Sequence, residues 1–398
     1  MSVFKFHRNL VVAVIDVINS CMLEGAYADK VIERTLKSNK TWGARDRSFI
    51  AESSYDIIRN FRLLHYCVAE SNKMQDLVSA YFILKHIQLP DWDLFQGIQS
   101  NTVKLNFEKA KKHFAILHSY PDDLLDLVKS ELPDSYEAEL IALNQKADLI
   151  LRTNTLVTTK DTLISLLASR EIIGTTIKGH EDAILIKDKF NVFRDPLFSQ
   201  GYFEIQDASS QKVATFLDLA PGMQVIDACA GAGGKSLHIA SLMKNKGKVL
   251  CLDTESWKLE ELRKRAKRNR VDIIETRPIL NNKTIKRLFQ RCDRLLLDVP
   301  CSGLGVLRRN PDAKWKVDRA YIEKVKLLQK QILMQYSEML KPGGKLVYAT
   351  CSILPSENSK QIAYFCTEQA HFQLEEESFI SPAESGFDGF YMARLLKS

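Results

Sequence analysis

The chain has 398 residues, 45% of them hydrophobic, with 56 Lys and Arg against 49 Asp and Glu and a formal net charge of +7. That length exceeds what one ordinary core holds and points to two or three domains; the modest positive balance favours a polyanionic partner without naming one. No run approaches the ~20 apolar residues that span a bilayer. The stretch Leu10–Ile18 is broken by Asp16 and followed by Asn19 rather than a small-residue cleavage site, so a cytoplasmic protein with neither membrane span nor secretory signal is expected. The eight cysteines (Cys21, Cys67, Cys229, Cys251, Cys292, Cys301, Cys351 and Cys366) form no CxxC pair and have no His spacing suited to zinc, which predicts free thiols and no metal. A monomer is the default expectation.

From the start to about Tyr136 the apolar residues recur at helical spacing, as in Val11, Ile15, Ile18 and Met22, and predict an all-helical domain over 1–140. Within it Lys37, Lys40, Arg45 and Arg47 surround Trp42. This stretch reads as a solvated interhelical loop, or as a phosphate contact with a stacking ring. After Leu132-Pro133-Asp134 the pattern changes: Leu149–Arg152 reads as a strand, Thr159–Arg170 as a helix and Ala183–Ile186 as a strand, a small α/β domain over 141–200. Over 201–398 short apolar strands alternate with amphipathic helices, which predicts an α/β fold with a parallel, doubly wound sheet.

The chemistry lies in this last region. Residues Met223–Ser236, MQVIDACAGAGGKS, read as a strand entering a glycine-rich turn and then a helix, a form that lets backbone N–H groups approach a ligand beside a positive helix N-terminus. A dinucleotide fingerprint starting at Gly231 would need glycine at Ser236, and a P-loop would need it at Cys229, so both fail on spacing. What remains is Asp227 at a strand end before the loop, as in methyltransferases of the doubly wound class. The next strand, Lys248–Asp253, ends in a second acid that can accept both ribose hydroxyls of an adenosyl group.

Two further strands, Arg294–Asp298 and Gly344–Cys351, each run into a loop bearing a cysteine, Cys301 and Cys351. In an open α/β sheet the ligand crevice lies at the carboxyl ends of the strands, so the two thiols can share one pocket if their strands are neighbours. A lone cysteine is usually a small buried hydrophobe, and Cys67 and Cys366 are read that way. Asp-Val-Pro-Cys and Thr-Cys-Ser, by contrast, sit where side chains face the cleft.

At these residues the sequence resembles the NOP/SUN family of RNA cytosine-5 methyltransferases, most closely its bacterial ribosomal small-subunit methyltransferase B branch. The matching segments are Phe203–Gln211, Asp227–Lys235, Leu295–Asp312, Tyr348–Asn358 and Gly386–Leu395. Fainter likenesses lie upstream: Leu151–Leu156 resembles the opening of the family's small RNA-binding domain, and the helical start, with Asp46–Ile50, a NusB-type domain. The resemblance implies a Rossmann-like class I methyltransferase domain preceded by those two. It also implies a ribosomal RNA partner and S-adenosylmethionine bound by Cys229, Ala230, Gly231, Ala232, Gly233, Gly234, Lys235, Asp253 and Asp298.

C5 of cytosine is a poor nucleophile, so a thiolate first adds at C6 and makes C5 able to attack the sulfonium methyl group; the C5 proton must then leave before the thiol is eliminated. By resemblance Cys351 is the nucleophile, Cys301 assists release of the product, and Asp298 holds the base edge. The opposite assignment of the cysteines stays open, because DNA cytosine-5 methyltransferases use a Pro-Cys thiol and Pro300-Cys301 is such a dipeptide. Arg308, Arg309, Arg152 and Asn154 are expected to contact RNA, whereas the basic helix Trp257–Arg270 reads as a solvated face.

The chain departs from the family at Ala232, where proline is usual, and at Ile279-Leu280-Asn281-Asn282, where an acid facing the adenine is expected. Asn281 or the backbone is left to make that contact. The competing reading is a noncatalytic RNA-binding ribosome-assembly factor that keeps the fold. A third, a DNA methyltransferase, is disfavoured by Thr350-Cys351-Ser352 and the upstream domains.

Overall fold

The structure, a computed structural model, describes residues 7–187 and 191–398; the first six residues of the expected helical domain, and 188–190 of the small α/β domain, lie outside them. Contacts divide the chain into two units, Met1–Gln145 with Leu307–Arg319, and Lys146–Val306 with Ala320–Ser398.

Among its described residues the first unit holds nine α-helices between Arg8 and Leu143. In the helix Arg8–Met22, Leu10, Val11, Val14, Val17, Ile18 and Cys21 are buried, the three-and-four spacing that presents one face to a core. The segment Leu307–Arg319 belongs to this core although it lies far along the chain. Lys314, 1% exposed, donates to Arg59 O (2.6 Å) and Asn144 Oδ1 (3.0 Å), and the Arg59 guanidinium donates to Arg308 O (2.9 Å). Burial drives the Lys314 ammonium well below its ordinary pKa. A contiguous domain over 1–140 therefore misses a segment that no local pattern could attach to it.

The basic stretch around Trp42 is mostly helical. Lys37 ends the helix Ala28–Ser38, and Arg45 and Arg47 open the helix Ala44–Arg59. Trp42 packs half-buried against the core, and Arg47 donates to the carbonyls of Trp42, Leu36 and Asn39 at 2.7–3.2 Å. These two side chains tie the loop together, and the stacking-ring reading is corrected.

The second unit contains two sheets. The smaller has strands β1 (Leu149–Thr153), β2 (Gly174–Thr176), β3 (Ala183–Ile186) and β4 (Phe203–Ile205), in the order β2-β3-β1-β4 and antiparallel throughout. With helices at Lys160–Ala168 and Pro196–Ser199 this is the split βαββαβ arrangement. Phe203–Ile205, assigned by the boundary at 200 to the following domain, instead completes this sheet.

The larger sheet has strands β5 (Gln224–Asp227), β6 (Lys248–Asp253), β7 (Ile274–Pro278), β8 (Cys292–Asp298), β9 (Leu340–Thr350), β10 (Phe372–Ile380) and β11 (Phe390–Lys397), in the order β10-β11-β9-β8-β5-β6-β7. The five strands from β7 to β9 are parallel, as expected, while β10 and β11 form an antiparallel edge that the sequence reading did not include. The reason is visible in β10, FQLEEESFI, whose three successive acids and largely exposed residues disguise an edge strand. Alternate strand residues feed cores on opposite faces: Ile226, Leu295 and Leu346 on one, Val225, Leu296 and Val347 on the other.

The small sheet is tied to the large one through buried polar groups. Glu204 of β4, 2% exposed, receives hydrogen bonds from Arg265 (2.8 Å), Arg268 and Asn269. Burial alone would raise its pKa, but Arg265 and Arg268 together hold it below the usual value. Replacing Glu204 with Ala leaves two arginines facing each other without their anion. Chemical denaturation should report a loss of about 3 kcal/mol, the lower end of the range for breaking a buried pair because the arginines still reach water; a loss within error of zero would contradict this account.

Candidate active site

Strand order decides which side chains meet. β8 lies between β5 and β9, and its register sets Leu297 opposite Tyr348 and Asp298 opposite Ala349. Cys301 and Cys351 therefore leave adjacent parallel strands at the same end, and their sulfur atoms stand 3.3 Å apart. Both cysteines are partly exposed. The Cys301 thiol is pushed well above its ordinary pKa by its hydrogen bond with Cys351, then by burial, then by the charges of Cys351 and Glu357. These causes favour the protonated form of Cys301.

Asp298 ends β8 and accepts a 2.7 Å hydrogen bond from Lys235 Nζ. Lys235 sits in the first turn of the helix Gly234–Leu242 with its ammonium 5.1 Å from the centre of the Phe390 ring. Burial would lower its pKa, but the charge of Asp298, their hydrogen bond and the charges of Cys351 and Asp227 hold it above the ordinary value. The Lys235 ammonium is thus held as a cation against Asp298.

The glycine loop follows β5. Asp253, 8% exposed at the end of β6, accepts from Gly231 N through Oδ2 and from Glu255 N through Oδ1, both at 2.8 Å. A carboxylate has about four acceptor positions, so two remain for a diol. Gly231 has φ +54° and nothing within 4 Å of where a Cβ would stand, so that side of the loop is free for a ligand to approach while its N–H is held by Asp253. These features fit the adenosyl part of a methyl donor. Within the loop Ala230 N donates to Leu252 O (2.9 Å), Ala232 O accepts from Arg265 (2.8 Å), Gly233 N donates to Ala230 O (2.9 Å), and Gly234 O accepts from Arg152 (2.6 Å). Cys229 is half-buried, with its thiol pushed well up by burial. Near the missing acid, Asn281 Oδ1 caps the helix Asn282–Lys286 through Lys283 N (2.9 Å), and Leu280 is 78% exposed.

The residues expected on RNA are placed differently. Arg152 is 2% exposed and donates to Gln206 Oε1 and Gly234 O; Asn154, 3% exposed, donates to Gly201 O and Asn269 O. Both are corrected from RNA contacts to buried ties within the second unit, because their donors face carbonyls rather than water. Arg308 is 8% exposed within the segment that joins the helical unit, which removes its side chain from the expected phosphate contact; Arg309 beside it is partly exposed.

The description "16S rRNA methyltransferase RsmB/F" matches residues 214–396, and the ferredoxin-like domain of RsmF/B-like methyltransferases matches 120–193. The chain belongs to this 16S rRNA methyltransferase family. It is 33% identical over 356 residues to ribosomal RNA small subunit methyltransferase B of Enterobacter sp. (strain 638), covering 85% of this chain and 80% of that one. The protein of the same name from Proteus mirabilis (strain HI4320) is 32% identical over 345 residues, with the same coverage. Among solved structures, that of PH0851 superposes with a TM-score of 0.82 at 23% identity, covering 99% of this chain and all of the other. NSun6 from Pyrococcus horikoshii with SFG gives 0.64 at 19% identity, covering 71% and 99%.

Asp227 offers a test of the site's electrostatics. It is 1% exposed, accepts from Ser236 Oγ at 2.6 Å, and has its carboxyl pushed up to about 7, mainly by burial. Below about pH 4, where an unfolded Asp is also protonated, its contribution to stability is complete. As pH rises toward 7 the unfolded chain gives up the proton that the fold retains, and stability falls by up to roughly 1.4 kcal/mol per pH unit. Asp227→Asn lacks this loss, so its thermal midpoint should gain on the wild type between pH 4 and 8. A difference that does not change with pH would refute the assignment.

Proposed function

We propose that this chain methylates C5 of a cytosine in ribosomal RNA, with Cys351 as nucleophile and S-adenosylmethionine as donor. The 3.3 Å contact between Cys301 and Cys351 carries the reading, because two free thiols over one pocket suit a reaction that both adds to a ring and eliminates from it. The substrate class rests on the relatives named as ribosomal RNA small subunit methyltransferase B.

Asp253 and the loop Cys229–Gly234 would hold the donor, which supplies an electrophilic methyl group. Cys351 Sγ forms a bond to C6 of the cytosine, and the electron pair released to C5 takes up the methyl group. Loss of the C5 proton then returns an electron pair that re-forms the C5–C6 double bond and expels the Cys351 thiolate. Asp298 engages the amino and N3 edge of the base, while the ammonium of Lys235 offsets the charge that addition delivers to the ring. The C5 proton passes to a base admitted with solvent, and Cys301, 3.3 Å from the departing sulfur, stands where its S–H can assist release of the Cys351 thiolate and so of the product. The raised pKa of Cys301, which disfavours its thiolate, favours this assignment over the reverse. The target base must leave its stack to enter.

A noncatalytic assembly factor would have no use for two thiols in contact, an adjacent ion pair and an open glycine loop. With unmodified ribosomal RNA and donor, Cys351→Ala should lose methyl transfer entirely. Cys301→Ala should leave a protein–RNA adduct that survives a denaturing gel. Methylation by Cys351→Ala would overturn the assignment of roles, and mapping 5-methylcytidine in the product RNA tests the reaction itself.

A further inference from the structure

Glu357 has no part in the chemistry just described, yet it is fully buried on the short turn Pro355–Glu357, behind the two cysteine loops. Its carboxylate meets four donors. Oε1 accepts from Ser302 N (2.8 Å) and from Gln329 Nε2 (3.0 Å), and Oε2 accepts from the hydroxyls of Ser302 and Ser352. Those serines directly follow Cys301 and Cys351. Their oxygens in turn accept from the backbone N–H of Leu304 (3.4 Å) and Leu354 (3.1 Å) and lie 3.2 Å from each other, so the two serines and the carboxyl group form one hydrogen-bonded cluster.

We propose that Glu357 is a positioning residue whose carboxylate clamps the loops bearing Cys301 and Cys351, through the serine after each, and so fixes the separation and orientation of the two sulfur atoms. The inference rests on the reading that these thiols act on one base. Three observations carry it.

Four hydrogen-bonding groups surround the carboxyl group and fill its positions, while Arg and Lys are missing from its hydrogen-bond partners among the described residues. A buried anion without a counter-cation is costly, and a mere packing contact would be made better by an apolar side chain. The surrounding contacts also converge on the same loops. Gln329 donates to Pro300 O (3.0 Å), Tyr348 Oη donates to Glu357 O (2.7 Å), and Gly305 N donates to Cys351 O (2.9 Å). Gly305 admits no side chain, since a Cβ would lie 2.2 Å from Gly389 O and 2.8 Å from Cys351 O. Finally, the anion acts unequally on the pair: together with Cys351 it helps keep the proton on Cys301, whereas Lys235 provides a cation beside Cys351. Tyr348, also buried here, interacts with Cys301 and Glu357 and stays protonated, its pKa raised first by burial and then by the charge of Glu357.

The test uses the full chain in two assays. In the first, free of RNA and donor, alkylation of Cys301 and Cys351 by iodoacetamide is followed by mass spectrometry across pH 6–9. Glu357→Gln keeps the shape but removes the charge and turns an acceptor into a donor. It should speed alkylation of Cys301 several-fold and shift its profile to lower pH, with Glu357→Asp lying nearer the wild type. In the second assay Glu357→Gln should lose roughly 10²-fold in kcat, the cost of misplacing a reacting group, with KM for RNA nearly unchanged. Should Glu357→Gln fail to fold, Ser302→Ala and Ser352→Ala test the same clamp, each expected to change the alkylation rate of the neighbouring cysteine. Wild-type alkylation profiles and kcat in the folded variants would overturn the proposal. Altered alkylation in protein that never methylates cytosine would overturn the proposed reaction and leave the clamp standing.

Discussion

The parallel pairing of β8 with β9, beside β5, is the constraint on which the candidate site depends. Two cysteines 50 residues apart in sequence could end anywhere relative to each other. They meet because their strands are hydrogen-bonded neighbours whose carboxyl ends finish level, and because Val299 N–H reaching Ala349 O prolongs the pairing past Asp298. The same arrangement sets the glycine loop of β5 on the other side of Asp298, at the point where the strand order reverses. A ligand crevice at such a switch point follows from topology before any side chain is considered.

Charge is then distributed over this frame by burial. Asp298 has Lys235 for a partner, Glu357 has hydrogen-bonding N–H and O–H groups, and Asp227 has the Ser236 hydroxyl but no cation in hydrogen-bond contact among the described residues. The three carboxyl groups consequently serve differently. One is paired with a cation, one is surrounded by N–H and O–H groups, and one has its carboxyl pushed up to about 7. Removing a charge from water forces each group to find compensation locally, and the kind of compensation available fixes what the group can do.

The small sheet contributes rigidity to the same site. Arg152 reaches from β1 to the carbonyl of Gly234, where the glycine loop becomes a helix, and Arg265 binds both Ala232 O and Glu204. A loop that must offer its backbone to a ligand cannot be fixed by its own side chains, since glycine and alanine have none to use. Polar groups from neighbouring elements hold it instead. This explains why Arg152, chemically suited to bind phosphate, is turned inward.

The sequence by itself determined the alternation of strands and helices in the last 200 residues, the glycine loop, the strand-ending acids and the presence of two cysteines after strands. Each is written in a window of a few residues by periodicity or turn chemistry, and β3 and β6 accordingly have the bounds read from the sequence. The tertiary structure alone decided what depends on partners distant in the chain: the 3.3 Å approach of Cys301 and Cys351, the inward turn of Arg152, the adoption of Leu307–Arg319 by the helical unit, and the acid-rich edge strand β10. Glu357 belongs with these, since its neighbours in sequence, Pro355 and Ser356, suggest an exposed turn. A charged side chain looks the same in sequence whether it faces water or a buried ring of donors, and only the packing of distant segments distinguishes the two.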